Sequence, residues 1–531
     1  MQSSYATASM WRKRVKQAMT LLLSTFLVLG VAAIALKLLF PLPARENFPE
    51  DLPVPAASTS FPALREMAEA GGEGESYVML LDTGLLAISG RLALIRRAQG
   101  TIDAQYYIWE GDLAGRVMLE EIIAAADRGV RVRLLIDDNP TAGLDAMWAA
   151  VNSHPNIAVR IFNPLTIRAA RPLNYLFDFP RLNRRMHNKS LTVDGMVTVV
   201  GGRNVGDVYF GAGDANLFID IDALALGAIV PEVSREFETY WNSEPAYPAE
   251  LILARAPMGA IEEYRTLHHV DTAKAEGYRK AANELIQTLT TQPAEDLLTT
   301  STIDLLSDNP DKALGKVRHE DLLVEQIARI VGKSTKSLDL VSGYFVPGDR
   351  GLDILVGLAR KGVATRVVTN GYAVTDVPMV HAGYYPSRVP LLRAGVRLYE
   401  AKRQGEEKTN ARDFATTRFS GGGESVHAKT FAVDGKELFV GSFNIDPRSA
   451  VLNCEMGFLI HSPALAGRLK QALDRNLAEK TYAVSLNDAG ETVWTTQHDG
   501  RPLSTTTEPD TTAVSRMLVW ILSKLPIRWL L

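Results

Sequence analysis

Residues 187–204 read HNKSLTVDGMVTVVGGRN, and residues 427–444 read HAKTFAVDGKELFVGSFN. Both fit one pattern, H-x-K-x4-D-x6-G-[GS]-x-N. His187 and Lys189 are two apart, so on a strand they share a face. Asp194-Gly195 is a hairpin-turn dipeptide, and Met196 to Val200 returns as the partner strand. Asn204 then comes back to the level of His187. His427, Lys429, the Asp434-Gly435 turn and Asn444 repeat the arrangement. Each hairpin therefore presents an imidazole, an ammonium and an amide at one end.

The two hairpins sit in a duplicated body. TIDAQYYIW (101–109), AADRGVRVRLLIDD (125–138) and VRIF (159–162) recur as SLDLVSGYF (337–345), LARKGVATRVVTN (358–370) and VRLY (396–399). Gly129 maps to Gly362, Asp103 to Asp339, Val159 to Val396 and His187 to His427, at displacements of 233, 236, 237 and 240. A nearly constant offset over separate segments marks two copies of one fold. Each half alternates β-rich and helical runs, which predicts α/β units with mostly parallel strands. The expected division is 1–40 membrane anchor, 41–75 linker, 76–255 first lobe, 256–320 connector, 321–480 second lobe and 481–531 tail.

An imidazole carries protons or attacks as a nucleophile near neutral pH. Lysine and asparagine beside it suit a phosphoryl group, whose oxygens need donors. With these motifs, the chain resembles the phospholipase D superfamily, whose signature is HxKxxxxD in two copies. Within it, the chain is most similar to bacterial cardiolipin synthases of the C type. DAQYYIW, LIDDNPTAGLD, DFPRLNRRMHNKS, VGGRNVGDVYFG, VTDVPMVHAGY, GSFNIDPRSAVLNCEMGF and the terminal LPIRWLL carry that similarity. The resemblance implies two phospholipase D-like α/β lobes with pseudo-twofold symmetry and an active site at their interface. It implies catalytic His187, Lys189, Asp194, His427, Lys429 and Asp434. One histidine attacks the phosphate, the other protonates the leaving alcohol, and the lysines with Asn204 and Asn444 hold the phosphate oxygens. No cofactor or metal is expected; the chain has nine histidines, two of them in the motifs, and a single cysteine, Cys454.

The motif aspartates raise a geometric difficulty. Seven residues of extended strand separate His187 from Asp194 by roughly 23 Å, so a turn or inter-strand role suits Asp194 better than orienting its own imidazole. Asp220 and Glu455, at the start of the following strands, are the expected orienters, with Asp222 the rival to Asp220. His381 and Tyr384 are candidates for lining a substrate pocket. Tyr106, Tyr107 and Trp109 read mainly as core. His154 and the His268-His269 pair lack partners at ligand spacing, Gly332-Lys333-Ser334 lacks the earlier glycine of a P-loop, and GGG at 421–423 precedes no helix. Arg181, Arg184 and Arg185 before the first motif are expected to lower the pKa of His187 and favour a neutral nucleophile. Glu424 before the second is expected to keep His427 protonated.

Outside the body, Ala18 to Leu36 carries no charge for 19 residues, about 28 Å as a helix and close to a bilayer's hydrocarbon thickness. Arg12, Lys13, Arg14 and Lys16 precede it, so the positive-inside rule predicts a single-span signal anchor, with a cleaved signal peptide the alternative, and the body outside the cytoplasm; with the resemblance, that is the periplasmic side of a bacterial inner membrane. Pro41, Pro43, Pro49, Pro53, Pro55 and Pro62 mark a linker. Val514 to Leu531, with Trp520 and Trp529, suits either a helix lying in an anionic interface or a tail packed on its own domain. The whole chain has 57 Lys+Arg against 61 Asp+Glu; without the four N-terminal cations it is 53 against 61. That acidic body disfavours a nucleic-acid partner. The expected partners are phospholipids: phosphatidylglycerol as acceptor, and phosphatidylethanolamine or phosphatidylglycerol as donor. A hydrolysing phospholipase D is the rival enzyme; a nuclease-like phosphodiesterase and a non-catalytic lipid-binding scaffold are further alternatives.

Overall fold

The computed structural model describes residues 2–44, 62–211, 220–375, 377–402, 425–498 and 500–525. Glu424, Trp529, the glycines at 421–423 and the linker prolines Pro49, Pro53 and Pro55 lie outside the described residues.

Nine strands form the first sheet: β1 (Ser76–Leu81), β2 (Thr101–Tyr106), β3 (Arg131–Asp137), β4 (Ile157–Phe162), β5 (Lys189–Val193), β6 (Val197–Gly201), β7 (Asp222–Gly227), β8 (Ala246–Pro248) and β9 (Thr299–Ser301). Their order is β8-β4-β3-β2-β5-β6-β7-β1-β9. The second sheet holds β10 (Ile303–Ser307), β11 (Ser337–Ser342), β12 (Ala364–Asn370), β13 (Arg397–Ala401), β14 (Lys429–Val433), β15 (Glu437–Gly441), β16 (Met456–Ile460), β17 (Thr481–Leu486), β18 (Thr492–His498) and β19 (Arg501–Thr505). Its order is β10-β16-β15-β14-β11-β12-β13-β17-β18-β19. Matching strands β2-β3-β4 and β11-β12-β13 are parallel. Among the described residues these are the parallel pairs; the remaining pairings are antiparallel, so the expectation of mostly parallel sheets is corrected to mixed ones. Helical crossovers link those three strands in each lobe, and helices Gly84–Arg97 and Leu323–Gly332 lead into β2 and β11 from strands at the far side of each sheet. The motif hairpins and their neighbours add by short returns, which pair antiparallel.

Three apolar layers hold the molecule together. The first lobe's helices, Gly84–Arg97 and Leu113–Asp127 among them, cover one face of its sheet through Ile88, Leu92, Met118 and Ile122. A corresponding layer around Leu338, Leu340, Phe431 and Phe439 covers the outer face of the second sheet. Between the sheets, Val78, Leu80, Val200 and Ala225 of one lobe share a core with Ala428, Val440, Met456 and Phe458 of the other. The lobes thus meet sheet to sheet, at the level where the hairpins begin.

The stretch read as a tail is partly sheet: Thr481–Thr505 supplies β17, β18 and β19. The C-terminal helix Ala513–Lys524 follows, opened by a capping box between Thr512 and Ser515. It packs on the helix Pro378–Arg393. At the other end Gln2–Leu39 is one helix, and Lys16–Leu39 within it is long and apolar enough to cross a membrane, with none of that window buried in the body.

Candidate active site

The sequence builds each hairpin the same way. Asp194 and Gly195 take φ of 54° and 61°, and Asp434 and Gly435 take 54° and 63°. Two successive left-handed residues make the turn whose twist matches paired strands, and Asp-Gly tolerates it. The Asp194 carboxylate accepts N–H bonds from Gln99, Gly100 and Thr101 at 3.1, 2.7 and 2.9 Å. The Asp434 carboxylate accepts from Thr335, Lys336 and Ser337 at 3.0, 2.7 and 3.1 Å. Both aspartates therefore tie the hairpin turn to the entry of the neighbouring parallel strand, at the end remote from the histidines. The structure does not bring Asp194 or Asp434 to the imidazoles.

The histidines are instead oriented by acids, and each acid comes from the opposite lobe. His187 Nδ1 lies 2.7 Å from Glu455 Oε2, and His427 Nδ1 lies 2.5 Å from Asp220 Oδ2. With Nδ1 so engaged, Nε2 of each ring is left for chemistry. The backbone crosses too: His187 N donates to Cys454 O and Cys454 N donates to Arg185 O, both at 2.8 Å. Asp222, the rival orienter, is buried between Arg91 and Arg203 at 2.9 and 3.2 Å and belongs to the packing of its own lobe. The residue before each histidine is held by the end of a parallel strand: Asp137 of β3 accepts from Met186 N at 2.9 Å, and Asn370 of β12 accepts from Val426 N at 2.8 Å.

The glycine-or-serine position of the motif explains how the two acids fit. A Cβ on Gly202 would sit 2.1 Å from Asp220 Oδ1, so only glycine leaves room for that carboxylate. Ser442 occupies the equivalent place in the second lobe, and its hydroxyl donates to Glu455 Oε2 at 2.5 Å, while Ser449 donates to Oε1 at 2.8 Å. Lys189 Nζ donates to His187 O at 2.5 Å and Lys429 Nζ donates to His427 O, placing each ammonium beside its own imidazole. Asn204 is buried; its Oδ1 accepts from Ile108 N at 3.1 Å, while its Nδ2 has no hydrogen-bond partner. Asn444 is also buried, with Oδ1 unpartnered. Two aromatic rings, absent from the sequence-based site, complete it. Tyr107 lies edge-on to His187 and Tyr209 edge-on to His427, both at 5.1 Å between centroids. Tyr107 was legible only as one of a run of aromatics; Tyr106 and Trp109 of that run are core, as expected.

The electrostatics of the two imidazoles differ. Burial is the first cause holding the pKa of His187 well below its ordinary value, followed by the cations Lys189 and Lys429. Burial also lowers His427, with Lys429 next, but there Asp220 works the other way. Asp220 is held below the usual carboxylate range: burial opposes this, and His427, Lys429 and Arg203 outweigh it. Burial raises Glu455 to about 7 against the pull of Lys189 and both serines. Burial brings Lys189 down to about 7, with Glu455 opposing and Lys429 adding to it. The expected lowering of His187 is present, but its cause differs from the arginine cluster. Arg185 is spent on Asp137 and Arg181 on Asp178.

His381 and Tyr384, the candidates for a substrate pocket, are engaged in a buried polar cluster. His381 Nε2 meets Glu508 Oε1 at 2.7 Å, and the Tyr384 hydroxyl donates to Glu400 at 2.9 Å. Arg388 joins both acids, and all three side chains on this helix are buried. This cluster fastens the 508 segment to the second lobe.

Comparison with known proteins agrees with this geometry. The family described as "Cardiolipin synthase, PLD-like domain" matches twice, over residues 92–241 and 327–477. Cardiolipin synthase C of Escherichia coli (strain K12) is 42% identical over 461 residues, covering 86% of this chain and 97% of that protein. An uncharacterized protein of Helicobacter pylori (strain ATCC 700392 / 26695) is 32% identical over 456 residues, covering 83% of this chain and 87% of its own. Among solved structures, the phosphatidylserine synthase of Haemophilus influenzae Rd KW20 superposes with a TM-score of 0.52 at 14% identity, covering 80% of this chain and 92% of that one, a likeness of fold. With both matched segments carrying a complete motif and one histidine of the crossed site, the chain belongs to the cardiolipin synthase family of phospholipase D-like proteins.

Proposed function

We propose that this protein is a phosphatidyltransferase that makes cardiolipin by moving a phosphatidyl group onto a glycerol hydroxyl of phosphatidylglycerol. The observation that carries the reading is the pair of buried imidazoles, each with Nδ1 on an acid of the opposite lobe and a lysine alongside. That arrangement supports a two-step transfer. In the first step His187 Nε2 bonds to phosphorus as the bond from phosphorus to the donor's alcohol oxygen breaks, and His427 gives that oxygen its proton. In the second, His427 takes the proton of the acceptor hydroxyl, whose oxygen bonds to phosphorus and displaces Nε2.

The unequal surroundings support this division of labour. Burial and two lysines favour neutral, nucleophilic His187. The anionic Asp220 beside His427 favours the imidazolium that enters the first proton transfer and is regenerated in the second. Lys189, Lys429 and the unpartnered Nδ2 of Asn204 are suited to the oxygens of the phosphate, whose negative charge must be held through both steps. The donor is phosphatidylethanolamine or a second phosphatidylglycerol. The 42% identity to a cardiolipin synthase favours transfer over release to water.

The test is the product ratio. Purified full-length protein with labelled phosphatidylglycerol, alone and with phosphatidylethanolamine, is expected to form cardiolipin faster than phosphatidic acid. Dominant phosphatidic acid with every donor would make the protein a hydrolase.

A further inference from the structure

The helix Asn174–Leu182 runs just ahead of the first motif and is kinked at Asp178, two residues before Pro180. Asn174 and Leu182 are its buried residues. Leu173, Leu176 and Phe179 face outward, with Leu176 60% exposed. Tyr175, edge-on to Phe179 at 6.3 Å between centroids, reaches inward: its hydroxyl donates to Asn139 Oδ1 at 2.5 Å, and Asn139 Nδ2 donates to the Tyr107 hydroxyl at 3.5 Å. Tyr107 is the ring against His187. One contact chain thus joins an outward apolar face to the candidate nucleophile.

The C-terminal helix Ala513–Lys524 has the same character. Its buried residues are Ser515, Val519 and Ser523, while Met517, Trp520 and Ile521 are outward, Trp520 at 54% exposure. It carries Arg516 and Lys524 and no acid. Ser515 lies beside Tyr372. Tyr372 follows Asn370, the end of β12, by two residues, just as Asn139 follows Asp137, the end of β3. Asp137 and Asn370 are the equivalent residues that hold the chain before each histidine. The two apolar faces therefore adjoin pseudo-equivalent points of the two lobes, one by the end of β3 and one by the end of β12.

The third observation fixes what they meet. The N-terminal helix, which carries the membrane-spanning window, lies against Asn174–Leu182. Ala33 and Leu36, near the body-side end of that window, are half-covered while the residues around them are exposed. An apolar face continuous with a membrane-spanning helix, matched across the cleft by an apolar face with only basic charges, is complementary to an anionic lipid surface.

We propose that the helices Asn174–Leu182 and Ala513–Lys524 form a two-sided footing in the phospholipid bilayer, so that the cleft opens onto the lipid surface. Trp520 and Phe179 sit at headgroup depth with Leu176 below them. This deepens the lipid-transfer reading, and its test needs no turnover. Leu176→Cys, Trp520→Cys and Lys280→Cys, the last on the exposed side of the helix Ala273–Thr291, are each labelled with a nitroxide in the full chain. Cys454 is buried and is left unlabelled. The proteins are reconstituted in vesicles of phosphatidylglycerol and phosphatidylethanolamine, and relaxation by oxygen is compared with relaxation by a water-soluble nickel chelate. Labels at 176 and 520 are expected to favour oxygen, reversing the ratio seen at 280. A ratio at either position equal to that at 280 overturns the proposal. So does protection from both reagents, which would mean a protein partner covers the face. Phe179→Cys and Met517→Cys repeat the reading on each helix in case a first variant folds poorly. A protein that made only phosphatidic acid, or no product, would leave these ratios unchanged, so failure of the transferase reading is distinguishable.

Discussion

Glu455 and Asp220 differ by one methylene and impose different states on the imidazoles they hold. The raised Glu455 and lowered Asp220 leave His187 suited to attack and His427 to carry a proton. His427→Ala given a donor lipid with a nitrophenolate leaving group, which needs no protonation, is expected to accumulate an acid-labile phosphatidyl adduct on His187. His187→Ala should trap none. An adduct found by mass spectrometry on His427 of the His187→Ala protein, with none on His187 of the counterpart, would reverse the roles. Lys189 supplies a second expectation. Its ammonium loses its proton as pH rises through about 7 in the unliganded protein, so kcat/KM should fall on the alkaline side of that value. Lys189→Arg, which stays charged throughout, should flatten that limb even if its maximum rate is lower. An unchanged limb in the arginine variant would remove Lys189 from the profile. The histidines and lysines were legible because a five-position pattern occurs twice at one offset, and the orienting acids because each stands at the start of the strand that follows its hairpin. The crossing was not, because a motif repeated in each half carries no record of which half supplies its partner. Tyr209 and Ser449 were hidden for a related reason: their roles depend on contacts between segments far apart in sequence.

At the scale of the hairpin, the Asp of each motif works on architecture. Burial tends to raise Asp434, but the N–H donors of Lys336, Ser337 and Thr335 and the Thr335 hydroxyl hold it at about 2. A carboxyl lowered on folding stabilises above its unfolded pKa, near 3.9, and that contribution is lost as pH falls through about 2. Asp434→Asn retains a residue tolerant of positive φ and loses the charge. It should cost about 1–2 kcal/mol of stability at pH 7 and show a shallower acid dependence, with kcat within a few-fold of wild type. Thermal melts across pH, paired with initial rates, check this; a loss of kcat with unchanged melting would return Asp434 to the chemistry. The hairpins themselves were readable from Asp-Gly between alternating residues. The sheet's direction was misread because β-α alternation yields adjacent parallel strands in β2-β3-β4 and β11-β12-β13, while β7 and β1 pair antiparallel across 140 or more residues of chain with no local signal. His381 looked like a pocket residue beside Tyr384, and only the arrival of Glu508 from the far end of the chain turns the pair into a buried clasp.

For the whole molecule, the cation cluster before the span predicts the side on which lipid is handled. Alkaline phosphatase fused after Leu531 should be active and a fluorescent protein dark, as the positive-inside rule predicts for a body outside the cytoplasm. A fluorescent fusion with inactive phosphatase would place the body inside. Coupling between the lobes gives a further expectation. Glu455→Gln should slow formation of the adduct on His187 by about 10²-fold or more, although residue 455 lies in the second lobe. Rapid quench with the nitrophenyl donor reads that step alone, and a wild-type rate would show that His187 needs no partner across the interface. The crossed acids also give the enzyme a birth order. A nascent chain emerges from residue 1 onward, so the first motif is complete some 250 residues before Glu455 is made. During that interval the histidine is already tethered beside a membrane full of phospholipid, yet lacks the carboxylate that aims it and the second lysine beside it. Competence arrives in one event, when the second lobe closes on the first, and half-made chains at the membrane are spared from reacting with the lipid around them.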